Sequence, residues 1–114
     1  QRRPRGTRVT SPRVARTIGS LMTDVVEYGT GTAAALPDVQ VAGKTGTAEL
    51  EDTRDPETGE TLPPDPTNTD AWFTAYAPAK QPRIAVAVLL VRAGAGGATA
   101  APAARVVLDT AIKR

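Results

Sequence analysis

Among its 114 residues the chain has no cysteine and no histidine. Disulfides and thiol nucleophiles are thereby excluded, as are Ser-His-Asp hydrolysis and imidazole-based metal sites. Aromatic residues are nearly as scarce: one Trp, one Phe and two Tyr, with a single Met. The apolar mass is Ala and Val, which bury little area per residue, so a modest and marginal core is expected. No apolar run approaches the ~20 residues of a membrane-spanning helix. There is no initiating Met and no signal peptide; a chain that begins at Gln1 is expected to be a piece of something longer. At this length it holds one domain at most.

The net charge of +2 is unevenly spread. Arg2, Arg3, Arg5, Arg8, Arg13 and Arg16 crowd the start, while Glu49, Glu51, Asp52, Asp55, Glu57, Glu60, Asp65 and Asp70 crowd the middle. Residues 1–10, with Pro4 and Gly6, have the charge of a nucleic-acid arm. No aromatic residue is interleaved for stacking and no base-reading helix follows, so a solvated basic linker is the preferred reading, with no nucleic-acid partner. The acidic residues lack the spacing of a calcium-binding hand; a solvated loop is expected, with no metal.

Ser11-Pro12 reads as a helix start, an N-cap serine before a proline at the first helical position. Val14, Ile18, Leu21, Met22, Val25 and Val26 follow at helical spacing, and Gly29 is expected to cap the end. Thr30-Gly31-Thr32 reads as a turn, and residues 33–38 as a connection. Val39 and Val41 open a strand that runs into Lys44 and Ala48. Residues 49–70 read as a loop, with Pro56, Pro63, Pro64 and Pro66 opposing regular structure and Asp55-Pro56-Glu57-Thr58-Gly59 making a turn. A second strand is expected over 70–77, ended by Pro78. A third is expected over 84–91; its unbroken apolar run predicts a central strand covered on both faces. Gly94-Ala95-Gly96-Gly97 reads as a flexible turn. A final helix over 100–113 carries Ala103, Val106, Val107, Ala111 and Ile112 on its apolar stripe, widened by Ala104 and Leu108. Arg105, Asp109 and Lys113 step by four along its solvent face. The fold class is therefore α+β: an antiparallel three-stranded meander with a helix before and a helix after.

The chemistry gathers on Val41-Ala42-Gly43-Lys44-Thr45-Gly46-Thr47-Ala48. The glycines remove side chains on either side of Lys44-Thr45, which lets a backbone or ligand approach the strand. Lys44 supplies a point charge with three donors, and Thr45 and Thr47 supply hydroxyls. Such a strand can hold an extended peptide through its main chain and catch a carboxylate with Lys and Thr.

Lys44-Thr45-Gly46 is one of the three motifs of penicillin-binding proteins, and the chain resembles the C-terminal part of their transpeptidase domain, class B-like, across about residues 11–112. The resemblance is carried by Val25-Val26 followed by Gly29-Thr30-Gly31 and by the whole motif strand. It continues through Ala71-Trp72-Phe73-Thr74-Ala75-Tyr76-Ala77-Pro78, Ile84-Ala85-Val86-Ala87-Val88, Gly96-Gly97 and Ala101-Pro102-Ala103-Ala104. It implies that the meander is part of a larger penicillin-binding transpeptidase fold, in which a strand from the beginning of the domain flanks the one like 84–91. It implies serine acyl transfer on peptidoglycan stem peptides, acylation by β-lactams, no cofactor, and a place on the extracytoplasmic face of the membrane, with any anchor outside this chain. Lys44 would charge the pocket and organise the proton relay. Thr45 and Thr47 would hold the substrate carboxylate, Gly46 would let the ligand lie close, and the Thr47 backbone N–H would donate to the oxyanion. The chain departs from the family in its serines. Ser11 is followed by Pro12-Arg13-Val14 and Ser20 by Leu21-Met22-Thr23, so neither fits S-x-x-K or S-x-N. The nucleophile is expected upstream, in a longer parent, and the segment alone is expected to be inactive. Two rival readings remain at this level: a non-catalytic peptide-binding module using the Lys44 strand, and a nucleic-acid binder using residues 1–10.

Overall fold

A computed structural model describes residues 6–113; Arg2, Arg3 and Arg5 of the basic start lie outside them. Helix α1 (Pro12–Glu27) begins where Ser11 caps it, the Val14 N–H donating to Ser11 Oγ at 3.2 Å. Its end differs from expectation. The Tyr28 N–H donates to the Asp24 carbonyl, the Gly31 N–H donates to the Val25 carbonyl, and Gly29 does not adopt a positive φ. Glycine stands at 29 for space: a Cβ there would lie 2.8 Å from Val25 Cα. A short 3-10 turn, Thr32–Ala34, then seats Ala34 in the core.

Strands β1 (Ala42–Glu49), β2 (Thr69–Ala77) and β3 (Ile84–Leu90) form the expected antiparallel meander in the order β1-β2-β3. Strand alternation divides the sheet. Ala71, Phe73, Ala75 and Ala77 of β2 are buried, and their partners Leu90, Val88, Val86 and Ile84 of β3 are half-buried beside them. Helix α2 (Ala100–Ile112) packs against β2 and β3, bringing Ala101, Ala104 and Leu108 into the same core. Phe73 and Leu108 are the largest fully buried side chains, each worth roughly 1.5–3 kcal/mol of burial.

Three expectations fail here for one reason. Strand β3 is an edge of the described sheet and is covered on one face; Ala85, Ala87 and Leu89 are exposed on the other. On α2 the buried line is Ala101, Ala104 and Leu108, whereas Val106 and Val107 face solvent. On α1, Val26 is buried but Val14, Ile18 and Leu21 are about half exposed. Apolar periodicity marks a face that requires a partner; it does not say that the partner belongs to the same chain. The solvent face of α2 behaves as expected, with Lys113 Nζ 2.7 Å from Asp109 Oδ2.

The β1–β2 connection is more ordered than its prolines suggest. Arg54 and Thr61 form an isolated bridge around the turn at 55–59. Asp55 Oδ1 accepts from the Glu57 and Thr58 N–H groups at 2.8 and 3.1 Å, and Gly59 takes φ +71°, a left-handed conformation suited to glycine. Asp65 caps a second turn, Pro66–Asn68, by accepting from the Thr67 N–H at 2.8 Å. Both strands invade the expected loop, β1 reaching Glu49 and β2 starting at Thr69.

The glycine segment 94–97 is a packed clasp instead of a flexible turn. Gly96 is buried over the Gly46–Trp72 pair, where a Cβ would run into the Trp72 carbonyl oxygen and lie 2.5 Å from that of Gly46. At Gly97 a Cβ would run into the Thr30 carbonyl oxygen. These glycines give the loop room to lie against the motif strand.

Candidate functional site

Among the described residues strand β1 pairs with β2 along one side only, so the Lys-Thr-Gly sequence lies on an edge of the described sheet. Its register sets Lys44 opposite Thr74, Thr45 opposite Phe73, Gly46 opposite Trp72 and Thr47 opposite Ala71. Alternation therefore places Lys44 and Gly46 on one face and Thr45 and Thr47 on the other. Lys44 nonetheless folds back toward its neighbour: Nζ donates to the Thr45 carbonyl at 2.7 Å and reaches Thr45 Oγ1 at 3.4 Å. Lys44 and Thr47 are exposed, Thr45 and Gly46 half-buried. Lys44 makes no ion pair among the described residues, so its charge stays available to an anion.

The two glycines of the motif differ in use. At Gly43 the space of a Cβ is taken by the Phe73 ring, 2.7 Å away, so this glycine serves the core. At Gly46 a Cβ would lie 3.1 Å from Trp72 Cβ, while Gly96 presses on the Gly46 backbone. The clasp and β2 together fix the motif strand in place.

Thr30, which the sequence places in a turn, belongs to the same neighbourhood. Its hydroxyl is 2.9 Å from that of Thr45 across fifteen residues of chain. A turn residue gives no sequence signal for such a contact, which exists because the loop after α1 returns to β1. A separate cleft of about 630 Å³ lies between α1 and Tyr76, lined in part by Arg16, Asp24, Glu27 and Lys80, and includes none of the motif residues. The motif is thus an open wall. It offers a cation, hydroxyls and a free strand edge, which suit an extended anionic peptide, and it offers no serine: Ser11 is spent capping α1 and Ser20 lies within α1.

A three-stranded antiparallel meander, backed by α2 and edged by Lys-Thr-Gly, matches the piece of a penicillin-binding transpeptidase fold that the sequence leads one to expect. The chain belongs to the penicillin-binding protein transpeptidase family: the family model described as "Penicillin binding protein transpeptidase domain" matches residues 1–109. It is 40% identical over 113 residues to the peptidoglycan D,D-transpeptidase PbpA of Mycolicibacterium smegmatis, covering 93% of this chain and 20% of that protein. It is 42% identical over 92 residues to the peptidoglycan D,D-transpeptidase MrdA of Haemophilus influenzae, covering 77% of this chain and 14% of that protein. Among solved structures, the ceftriaxone acyl-enzyme complex of penicillin-binding protein A from M. tuberculosis matches with a TM-score of 0.71 at 40% identity, over 92% of this chain and 22% of that one. The chain therefore spans about a fifth or less of the length of these relatives.

Proposed function

We propose that this chain forms one wall of the active site of a peptidoglycan D,D-transpeptidase, an enzyme of the cell envelope that cross-links stem peptides by serine acyl transfer and is acylated by β-lactams. The observation that carries the reading is the Lys44 ammonium, without an ion pair among the described residues, beside the Thr45 hydroxyl on the edge of β1. In this role Lys44 raises the positive potential of the pocket and supports proton movement at the nucleophile. Thr45 and Thr47 bind the carboxylate of stem peptide or β-lactam, Gly46 admits the ligand, and the Thr47 backbone N–H stabilises the oxyanion. The nucleophilic serine and its lysine belong to a part of the active site outside these 114 residues, since neither Ser11 nor Ser20 has the required lysine three positions on. Residues 1–10 act as a basic linker.

Acylation tests this. A fluorescent penicillin is expected to leave the isolated 114-residue chain unmodified by intact mass, and to label the complete protein at a serine outside it. A stoichiometric adduct on the isolated chain would sink the assignment. The free edge also favours a second reading, a non-catalytic module that adds an extended peptide to β1. A complete protein that binds D-alanyl-D-alanine peptides without ever being acylated would establish that reading instead.

A further inference from the structure

The hydroxyls of Thr30 and Thr45 lie 2.9 Å apart, close enough for one to donate to the other. Their meeting is built into the fold. The loop after α1 brings Thr30 to β1, and Gly97 presses on the Thr30 carbonyl while lying, by its absent Cβ, 3.4 Å from Thr45 Cγ2. A hydroxyl has one proton and two lone pairs, whereas an ammonium can only donate. Lys44 Nζ approaches Thr45 Oγ1 at 3.4 Å and addresses one of its lone pairs. The Thr45 proton then has two destinations. If Thr30 accepts it, Thr45 turns its remaining lone pair toward an incoming carboxylate and opposes it. If Thr30 donates, both lone pairs of Thr45 are engaged and its proton is directed outward.

We propose that Thr30 is a positioning residue that donates its hydroxyl proton to Thr45 and so holds Thr45 as a donor toward the carboxylate of the stem peptide or β-lactam. This rests on the carboxylate-binding role given above to Thr45. Thr30 touches no ligand in this arrangement; it sets the direction of a neighbour's hydrogen bond.

The test compares acylation rates of the complete protein with penicillin G and with its methyl ester, which keeps the β-lactam ring and removes the carboxylate charge. Thr30→Val keeps the side-chain shape without the hydroxyl. It is expected to slow acylation by penicillin G about two- to tenfold, the worth of one net hydrogen bond, and to leave the rate with the ester unchanged. Thr30→Ser retains the hydroxyl and should restore the penicillin G rate. Equal slowing on both compounds, a serine variant as slow as the valine variant, or no slowing at all overturns the proposal. A wild-type protein that does not prefer penicillin G to its ester removes the carboxylate role from Thr45 itself, which is a failure of the reading beneath and takes the proposal with it.

Discussion

At the scale of single residues, the roles proposed for Lys44 and Thr47 divide charge from hydrogen bonding. Lys44→Ala removes an exposed cation that no carboxylate neutralises among the described residues. In the complete protein it is expected to cripple acylation. Thr47→Ala should cost less, because the oxyanion donor assigned to Thr47 is a backbone group that alanine keeps. Losing an oxyanion donor outright costs on the order of 10²–10³ in rate. Comparative acylation kinetics decide it, and a larger loss for Thr47→Ala than for Lys44→Ala would reverse the division of roles. Asp55 supports a prediction of another kind. The Glu57 and Thr58 N–H groups donate to its carboxylate and hold its pKa below the ordinary 3.8. A folded-state pKa below the unfolded one contributes stability that is present above pH 3.8 and is lost as pH falls through the folded value. Amide exchange at Glu57 and Thr58 should accelerate through that acid range ahead of exchange in β2, and Asp55→Asn should shrink the pH dependence. A turn whose exchange shows no such pH dependence would remove Asp55 as its organiser.

At the scale of elements, the clasp of residues 94–97 joins the end of the sheet to its motif strand. Gly96 is buried where any side chain would strike the Trp72 and Gly46 carbonyls, both backbone and neither able to swing away. Gly96→Ala is expected to destabilise the fold by about 1–3 kcal/mol, in the range of overpacked sites, and to shift Gly46 with it. Gly6→Ala, with nothing within 4 Å, is the control and should be neutral. Urea unfolding midpoints compare the two. An Ala at 96 that unfolds at the wild-type midpoint would mean that the clasp does not hold the strand. The same clasp touches Thr30 through Gly97, so the loop after α1, the motif strand and the entry to α2 meet at one point.

At the scale of the whole molecule, surface is the outstanding feature. The chain exposes 8359 Å², against about 5,900 Å² for a compact monomer of its mass. Its radius of gyration is 16.8 Å, against about 13 Å for a compact chain of this length. Part of that excess is apolar: the Val14–Ile18–Leu21 line of α1, Val106 and Val107 of α2, and Leu89 and Val91 at the β3 edge. Strand β3 has no charge and no proline, and its outer edge pairs with nothing among the described residues. Such an edge is a template for another strand. The 114-residue chain made alone is expected to self-associate through β3, as a dimer or an aggregate, and to stop doing so within the complete protein. Sedimentation together with amide exchange tests this. A stable monomer at micromolar concentration with the amides of residues 84–90 exchanging freely contradicts it.

Local signals sufficed at several places where the cause of structure was local, though not at Gly29, which answers to space against Val25 and not to a left-handed cap. Ser11-Pro12 started α1 because an oxygen and a fixed φ act within one turn, and Asp55 to Gly59 made a turn for the same kind of reason. The meander order was legible from alternation, and the family from the resemblance carried by the Lys-Thr-Gly strand together with the segments around it. Tertiary structure alone decided which apolar faces are covered, because β3 and α1 carry the same periodicity whether their partner lies within the chain or not. It alone made a clasp of residues 94–97, since a glycine needed for space and a glycine needed for flexibility read alike. It alone brought Thr30 to Thr45, a contact set by where the loop after α1 crosses β1 and by nothing in either segment.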